Sequence, residues 1–202
     1  MIHAEAIDIV LIQESGPRRR LRALGAALGM TVCTDPPTFP RRRIQNAALI
    51  RNPDVVRSRF LRFSPSSFLY PRGALVAQID EGISVVSVHL GLGGSDRGRH
   101  IQQLVELVGG SSKRFVIGGD LNALPGDPGP RTLAARATDC WQAVGQGKGY
   151  TFPSHAPTAR IDYLFAGPAV RPLRAWTAGA MVSDHLMVVA DLRFADATTA
   201  AD

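Results

Sequence analysis

Acidic, amide and imidazole side chains stand at the ends of apolar runs at five places along the chain. These residues are Glu14, His89, Asp120 with Asn122, Asp162, and Asp184 with His185. A polar residue just beyond a buried strand lies at the rim of a sheet, where clefts form. Carboxylates bind hard cations, and histidine, which titrates near neutrality, can activate water as a general base. Together these residue types suit metal-assisted hydrolysis of an anionic substrate.

Two of these places have informative spacing. In Asp120-Leu121-Asn122, a carboxylate and an amide two residues apart share one face of an extended chain. Asp162 could accept the ring N–H of a histidine and hold its tautomer. Each place also has an ordinary structural explanation: a turn rich in Asp and Asn at 120–122, a salt-bridged strand end at 160–162, and a capped turn with a surface histidine at 183–185.

The apolar runs that flank these residues predict an α/β fold. The predicted helices cover residues 18–28, 96–107 and 131–136, and the predicted strands cover residues 7–12, 47–51, 55–63, 74–79, 83–89, 115–117, 161–165 and 186–192. Apolar and polar residues occur on both faces of the 55–63 run, which indicates a strand near a sheet edge. A loop is expected at 35–40 and a hairpin turn at 80–82. Predicted strands both precede and follow the helices along the chain, and several of them form hairpins, which favours mixed sheets of parallel and antiparallel strands.

Length and composition indicate one globular domain over residues 1–194 and a disordered tail over 195–202. The chain is 45% apolar, which argues against intrinsic disorder, and it has no run near the roughly 20 apolar residues of a transmembrane segment. We expect a monomer. The N-terminus lacks a basic export region, so a cytoplasmic location is predicted, with secretion as the alternative if a preceding segment carries a signal. The only cysteines, Cys33 and Cys140, are expected to be ordinary buried thiols.

The formal net charge is +6, and all but two of the 23 basic residues are arginine. Arginine-rich segments at 18–22, 41–43 and 57–62 favour a phosphate-bearing partner, with nucleic acid as one candidate. The alternative is that the arginine bias reflects genomic base composition.

Taken together and in order, six motifs resemble the endonuclease/exonuclease/phosphatase family, whose fold is that of deoxyribonuclease I. The motifs are DIVLIQE at 8–14, NAALIR at 46–51, SVHLG at 87–91, GDLN at 119–122, RIDY at 160–163 and SDH at 183–185. With the last strand they extend from residue 8 to residue 192. The resemblance implies a four-layer α-β-β-α sandwich, with two mixed β-sheets packed face to face and helices outside.

The resemblance also implies a function and a role for each residue. It implies hydrolysis of phosphoester bonds by in-line attack of water, with Mg²⁺ or alternatively Mn²⁺ as the cofactor. The metal-binding carboxylates would be Glu14 and Asp184. The catalytic residues would be Asp120 and Asn122, which orient the water and a phosphate oxygen, His185 at the phosphate with Asp162 as its partner, and His89 near the leaving group.

One departure from the family pattern bears on this expectation. Family members usually have a strand ending in asparagine before the segment that corresponds to 8–14, and nothing upstream of Glu14 can supply it. Asn46 follows the glutamate and cannot take that role. Either the chain start is misplaced, or the core lacks this strand; in the second case, unpaired strand edges and a weakened metal site are expected. The alternative function is a non-catalytic relative that binds phosphate-bearing or protein partners. The substrate is left open among nucleic acid, a lipid headgroup and a small phosphoester.

Overall fold

The apolar runs form eleven strands and four helices in the part of the chain that the computed structural model describes, residues 6–37, 43–51, 57–66, 71–79, 82–110, 113–179 and 183–195. The helices are α1 (Arg18–Leu28), α2 (Gly94–Gly109), α3 (Pro128–Ala134) and α4 (Cys140–Val144). The strands are β1 (Ile9–Pro17), β2 (Met30–Thr34), β3 (Arg43–Arg51), β4 (Arg57–Arg62), β5 (Gly73–Ile79), β6 (Ile83–His89), β7 (Phe115–Asp120), β8 (Thr138–Asp139), β9 (Asp162–Ala166), β10 (Val170–Ala178) and β11 (Met187–Phe194).

The larger sheet has six strands in the order β4-β5-β6-β7-β9-β8. The β6–β7 pair is parallel, and the other neighbours are antiparallel. Successive side chains of a strand point to opposite faces, so Val86 and Val88 pack on one side of this sheet and Val85 on the other. The first side is covered by α2 and α3 through Ile101 and Leu133.

The other face of the six-stranded sheet is covered by two smaller antiparallel sheets, β1-β3-β2 and β10-β11. In β3, Ala48 points into the core between the sheets, whereas Leu49 points outward and packs with Leu21 and Leu28 of α1. The layers are therefore helices, sheet, sheets and helix, and the predicted α/β class with packed sheets between helices is confirmed.

The two smaller sheets lie side by side in one layer, and the edge strands β1 and β11 lie over neighbouring strands of the large sheet. Within the described ranges, β1 pairs only with β3, and β11 pairs only with β10. Contacts place β1 over β6 and β7 and β11 over the neighbouring β9. The apolar residues 9–12 of β1 are only half-buried.

Most predicted elements lie where the sequence placed them. The helix at 18–28 is reproduced as α1, and Gly29 ends it with φ 63°. The strand predicted over 55–63 is β4, which is an edge strand; its first two predicted residues, Val55 and Val56, lie outside the described residues. Residues 80 and 81 of the predicted hairpin also lie outside them, but the pairing of Ile79 with Ile83 agrees with a hairpin.

Four elements were not predicted from the sequence: β2, β8, α4 and β10. Of the expected tail, only Ala195 is described. Cys33 and Cys140 are free and buried, as predicted. No helix among the described residues is long and apolar enough to span a bilayer.

Candidate active site

Three neighbouring strands of the large sheet place polar residues side by side. His89 is the partner of Asp120 across β6 and β7, and Asp120 is the partner of Asp162 across β7 and β9. Because directly opposed residues share a face, and because Val88 and Tyr163 beside them face the α2 side, these three side chains point toward the smaller sheets. His89, Asp120 and Asp162, which are far apart in the sequence, thus form one row of polar side chains at the rim, which we refer to as the row.

A tight turn after β7 fixes the orientation of Asp120. Its Oδ1 accepts a hydrogen bond from the backbone N–H of Asn122 at 2.7 Å, and Asn122 Nδ2 donates to the carbonyl of Leu90 at 3.0 Å. Asn122 has φ 48°, a left-handed conformation that asparagine tolerates better than most residues. The hydroxyl of Tyr163 donates to the carbonyl of Ala123 at 2.8 Å. The Asp120–Asn122 pair is therefore held by both neighbouring strands.

His185 joins this row through Asp162. Its Nδ1 donates to Oδ2 of Asp162 at 2.8 Å, which leaves Nε2 for another partner. This hydrogen bond raises the pKa of His185 above its usual value, and the charges of Asp162, Asp120 and Asp184 act in the same direction, against partial burial of the ring. The arrangement favours an imidazolium at the rim.

The segment that carries His185 is held by the loop before β9. The backbone N–H of Ser154 donates to the carbonyl of Asp184 at 2.7 Å, and that of Leu186 donates to the carbonyl of Thr151 at 2.8 Å. The ring of Phe152 lies 4.9 Å from the His185 ring, centroid to centroid. The imidazole of His185 is thus oriented by the Asp162 carboxylate at Nδ1 and by contact with the Phe152 ring.

Glu14 lies within β1, at the point where the pairing with β3 shifts register between Gln13 and Gly16. Its φ is 50°, a conformation that costs a residue of this type about 1 kcal/mol or more. Its carboxylate lies 3.8 Å from Nδ1 of His89, and His89 Nε2 lies 3.3 Å from Oδ2 of Asp120. The unfavourable backbone conformation thus occurs where Glu14 meets the row.

Arg72 is a site residue that the sequence analysis missed. Its Nη1 donates to Oε1 of Glu14 at 3.3 Å and lies 2.6 Å from Nε2 of His89. The signal was present, because Arg72 lies two residues before the predicted strand at 74–79. An arginine at a strand end is not among the acidic, amide and imidazole side chains that indicate metal binding or acid–base chemistry, so its role was not predicted.

The candidate metal ligands Glu14 and Asp184 lie at the same rim, but within the described part of the chain they are not part of a preformed metal-binding cluster of side chains. The side chain of Asp184 is exposed, and its charge acts on His185. Among the residues that the structure describes, no three His, Cys, Asp or Glu side chains form a cluster that could hold a metal ion. The available donors are carboxylate and amide oxygens, which suit Mg²⁺, an ion that often takes one or two carboxylates and keeps several waters. The donor chemistry thus fits the expected ion.

Comparisons with known proteins bear on the family and the fold of this chain. A family model described as "Endonuclease/Exonuclease/phosphatase family" matches residues 1–185. No curated protein matches the sequence.

Solved structures show the same fold at low sequence identity. A functionally unknown conserved protein from Enterococcus faecalis V583 is similar with TM-score 0.82 and 17% identity, covering 96% of this chain and 88% of that one. An endonuclease/exonuclease/phosphatase from Bacteroides vulgatus has TM-score 0.76 and 20% identity, with 96% and 87% covered. D. rerio TDP2 complexed with a single-strand DNA product has TM-score 0.74 and 16% identity, with 95% and 88% covered.

Proposed function

Because the chain belongs to the endonuclease/exonuclease/phosphatase family, matched over residues 1–185, we propose that it hydrolyses phosphoester bonds at the rim where β6 and β7 end and β9 begins. The observation that supports this most directly is the row of His89, Asp120 and Asp162, with His185 bonded to Asp162 at 2.8 Å. A histidine held by a carboxylate next to a second, separately oriented carboxylate has the components of acid–base chemistry on water.

The negative charge of the carboxylates at the rim must be offset before an anionic substrate can bind there. Asp120, Asp162, Asp184 and Glu14 supply negative charge close to where a phosphate would lie, and this charge alone would repel it. Arg72 lies against Glu14 and His89, and the raised pKa of His185 favours its cationic form. These two cations reduce the repulsion. A divalent ion bound by Glu14 and Asp184 would neutralise the remaining charge and polarise the P–O bonds.

We assign separate tasks to the residues of the row. Asp162 keeps the Nδ1 proton of His185 in place, so the Nε2–H of the imidazolium can donate to a phosphoryl oxygen as negative charge develops there. Asp120, fixed by the Asn122 amide, orients the attacking water and accepts its proton. His89 and the Asn122 side chain offer N–H donors to the remaining oxygens.

Hydrolysis of bis(p-nitrophenyl) phosphate and p-nitrophenyl phosphate, with Mg²⁺ or Mn²⁺ and with EDTA, tests this proposal. Replacing His185 by alanine or Asp120 by asparagine is expected to lower kcat/KM by about 10²–10³, the usual cost of removing one such group. Asp191→Asn on β11, an exposed carboxylate that pairs loosely with Arg174 at 3.8 Å, serves as the matched control and should keep full activity. Activity that survives both site substitutions would refute the assignment.

A second outcome separates catalysis from binding alone. If the wild-type protein binds p-nitrophenyl phosphate but turns over neither substrate with either metal, the chain is a non-catalytic phosphate-binding relative. The contact of Arg72 with Glu14 and His89 favours phosphate binding in either case, because it places a fixed cation at the rim.

A further inference from the structure

Two arginine-rich segments that are far apart in the sequence meet at one edge of the sandwich. The outer strand of the three-stranded sheet is β2, and the outer strand of the six-stranded sheet is β4. A groove of about 350 Å³ lies between them, lined in part by Arg18, Thr34, Ser58, Arg59 and Phe60. Arg18, the first residue of α1, and Arg59, in the middle of β4, therefore border the same groove. Because Phe60 packs into the core between the sheets and Leu61 packs on the α2 side, Arg57 and Arg59 point toward the α2 side of this edge, and Arg62 points toward the three-stranded sheet.

The charge of this edge has one sign. Neither α1, β2 nor β4 contains an aspartate or glutamate. The exposed cations of α1 and β4 are Arg19, Arg20, Arg22, Arg57, Arg59 and Arg62. We refer to these six residues and Arg18 as the basic edge.

Arg18 has a structural role, because it donates to Thr34 Oγ1 at 3.1 Å and to the carbonyl of Asp35 at 3.5 Å, but the stability of the fold does not account for the six exposed arginines of the basic edge. The first turn of α1 contains three arginines and no acidic residue, although the helix dipole disfavours positive charge at this end. Within the described ranges, Arg57, Arg59 and Arg62 form no ion pair. A strand edge can be protected from unwanted pairing by charge, but either sign of charge would serve that purpose.

The basic edge is continuous with the candidate active site. Arg62 is the partner of Gly73 across β4 and β5, and the preceding residue, Arg72, contacts Glu14 and His89. On the other sheet, α1 begins directly after β1, the strand that carries Glu14. A charged polymer bound along this edge would therefore reach the rim.

We infer that the basic edge binds the sugar-phosphate backbone of a nucleic acid strand and leads it to the rim, an inference that rests on the proposed phosphoesterase function. A small phosphoester would occupy the rim alone and would not use arginines along the whole length of β4. A polymer with a phosphate in every repeat contacts several of them at once. The groove admits a single chain, whereas a bilayer surface would meet only its borders.

Binding of a fluorescein-labelled single-stranded DNA of about 20 nucleotides, followed by anisotropy in EDTA at several NaCl concentrations, tests the inference without turnover. The double variant Arg57→Gln/Arg59→Gln removes two cations of the basic edge. The control Arg171→Gln/Arg193→Gln removes two exposed cations that are partners across β10 and β11. Loss of two phosphate contacts should reduce the slope of log K against log salt by about 1.4, which is about 25-fold weaker binding at 0.1 M salt. The control should match the wild type.

The variant Arg57→Lys/Arg59→Lys distinguishes lost charge from a damaged fold, because it keeps the charge and should retain most of the salt slope. Equal weakening in the edge and control variants, or no binding by the wild type, would overturn the inference. So would stronger binding to vesicles of phosphatidylserine than to DNA. Hydrolysis of bis(p-nitrophenyl) phosphate should be unchanged in all three variants. A wild type that binds DNA through the basic edge but does not hydrolyse this small ester would contradict the proposed function and leave the binding surface standing.

Discussion

Replacing Asp162 by asparagine tests the central contact of the candidate site with little change in shape. The carboxylate accepts the Nδ1–H of His185 at 2.8 Å and is the main cause of the raised pKa of that histidine. A hydrogen bond to a charged group contributes about 1.5–3 kcal/mol. Its loss in the transition state corresponds to a decrease in kcat/KM of about 10–150-fold. The amide can also donate to Nδ1 and so favour the wrong tautomer, which would increase the loss.

The same substitution should shift the pH dependence in a defined direction. An imidazolium with a raised pKa is retained to higher pH, so the rate of the wild type should fall as pH rises through that raised pKa. In Asp162→Asn this decline should begin at lower pH. Titration of the His185 ring proton by NMR in the metal-free protein measures the shift independently of activity. Asp191→Asn is the control. A His185 pKa that is the same in Asp162→Asn and in the wild type would refute the reasoning.

Three further substitutions give one test of the site, at Arg72, and two tests of the stability of the fold, at Asp35 and Arg160. Arg72→Gln removes the fixed cation at the rim and should lower kcat/KM for bis(p-nitrophenyl) phosphate about 10²-fold or more, whereas Arg62→Gln should have little effect on this small substrate. Burial raises the pKa of Asp35 to about 6 from an ordinary value of 3.8. The free energy of unfolding, measured in urea, should therefore fall by about 2.4 kcal/mol as pH rises from 4 to 7, and Asp35→Asn should abolish this decline. Arg160→Met leaves the buried carboxylate of Asp139, now 2.8 Å from the guanidinium, without its cation and should destabilise the protein by about 3–5 kcal/mol.

Elements specified by local sequence could be predicted, whereas those that depend on distant partners could not. The helix α1 has leucines on one face and a glycine that ends it, and both signals lie within its own residues. The strand β10 contains Pro172 and two arginines, which argue against a strand when read alone. It exists because β11 pairs with it, and the register shift between Pro172 and Arg174 accommodates the irregularity.

The site residues can be divided in the same way, into those that the local sequence indicates and those that depend on distant parts of the chain. The sequence could indicate that His89, Asp120 and Asp162 end strands, because each follows or begins an apolar run. It could not show that Arg72 lies against Glu14, since 58 residues separate them and the contact depends on how the two sheets pack. The assignment of the metal ligands Glu14 and Asp184 stays a prediction, and the oligomeric state does too.

The register of the large sheet explains why the row of His89, Asp120 and Asp162 is so closely defined. Side chains alternate between faces, so a shift of one residue in any of the three strands would turn its polar group toward α2 and expose its apolar set. Gly119 ensures close pairing at this point: its φ is 149°, and a Cβ there would lie 1.9 Å from the carbonyl oxygen of Val88. Gly118 serves the same purpose, because a Cβ there would lie 2.7 Å from the side chains of Leu11 and Leu164. The geometry of the polar row therefore depends on the packing of the apolar core beneath it.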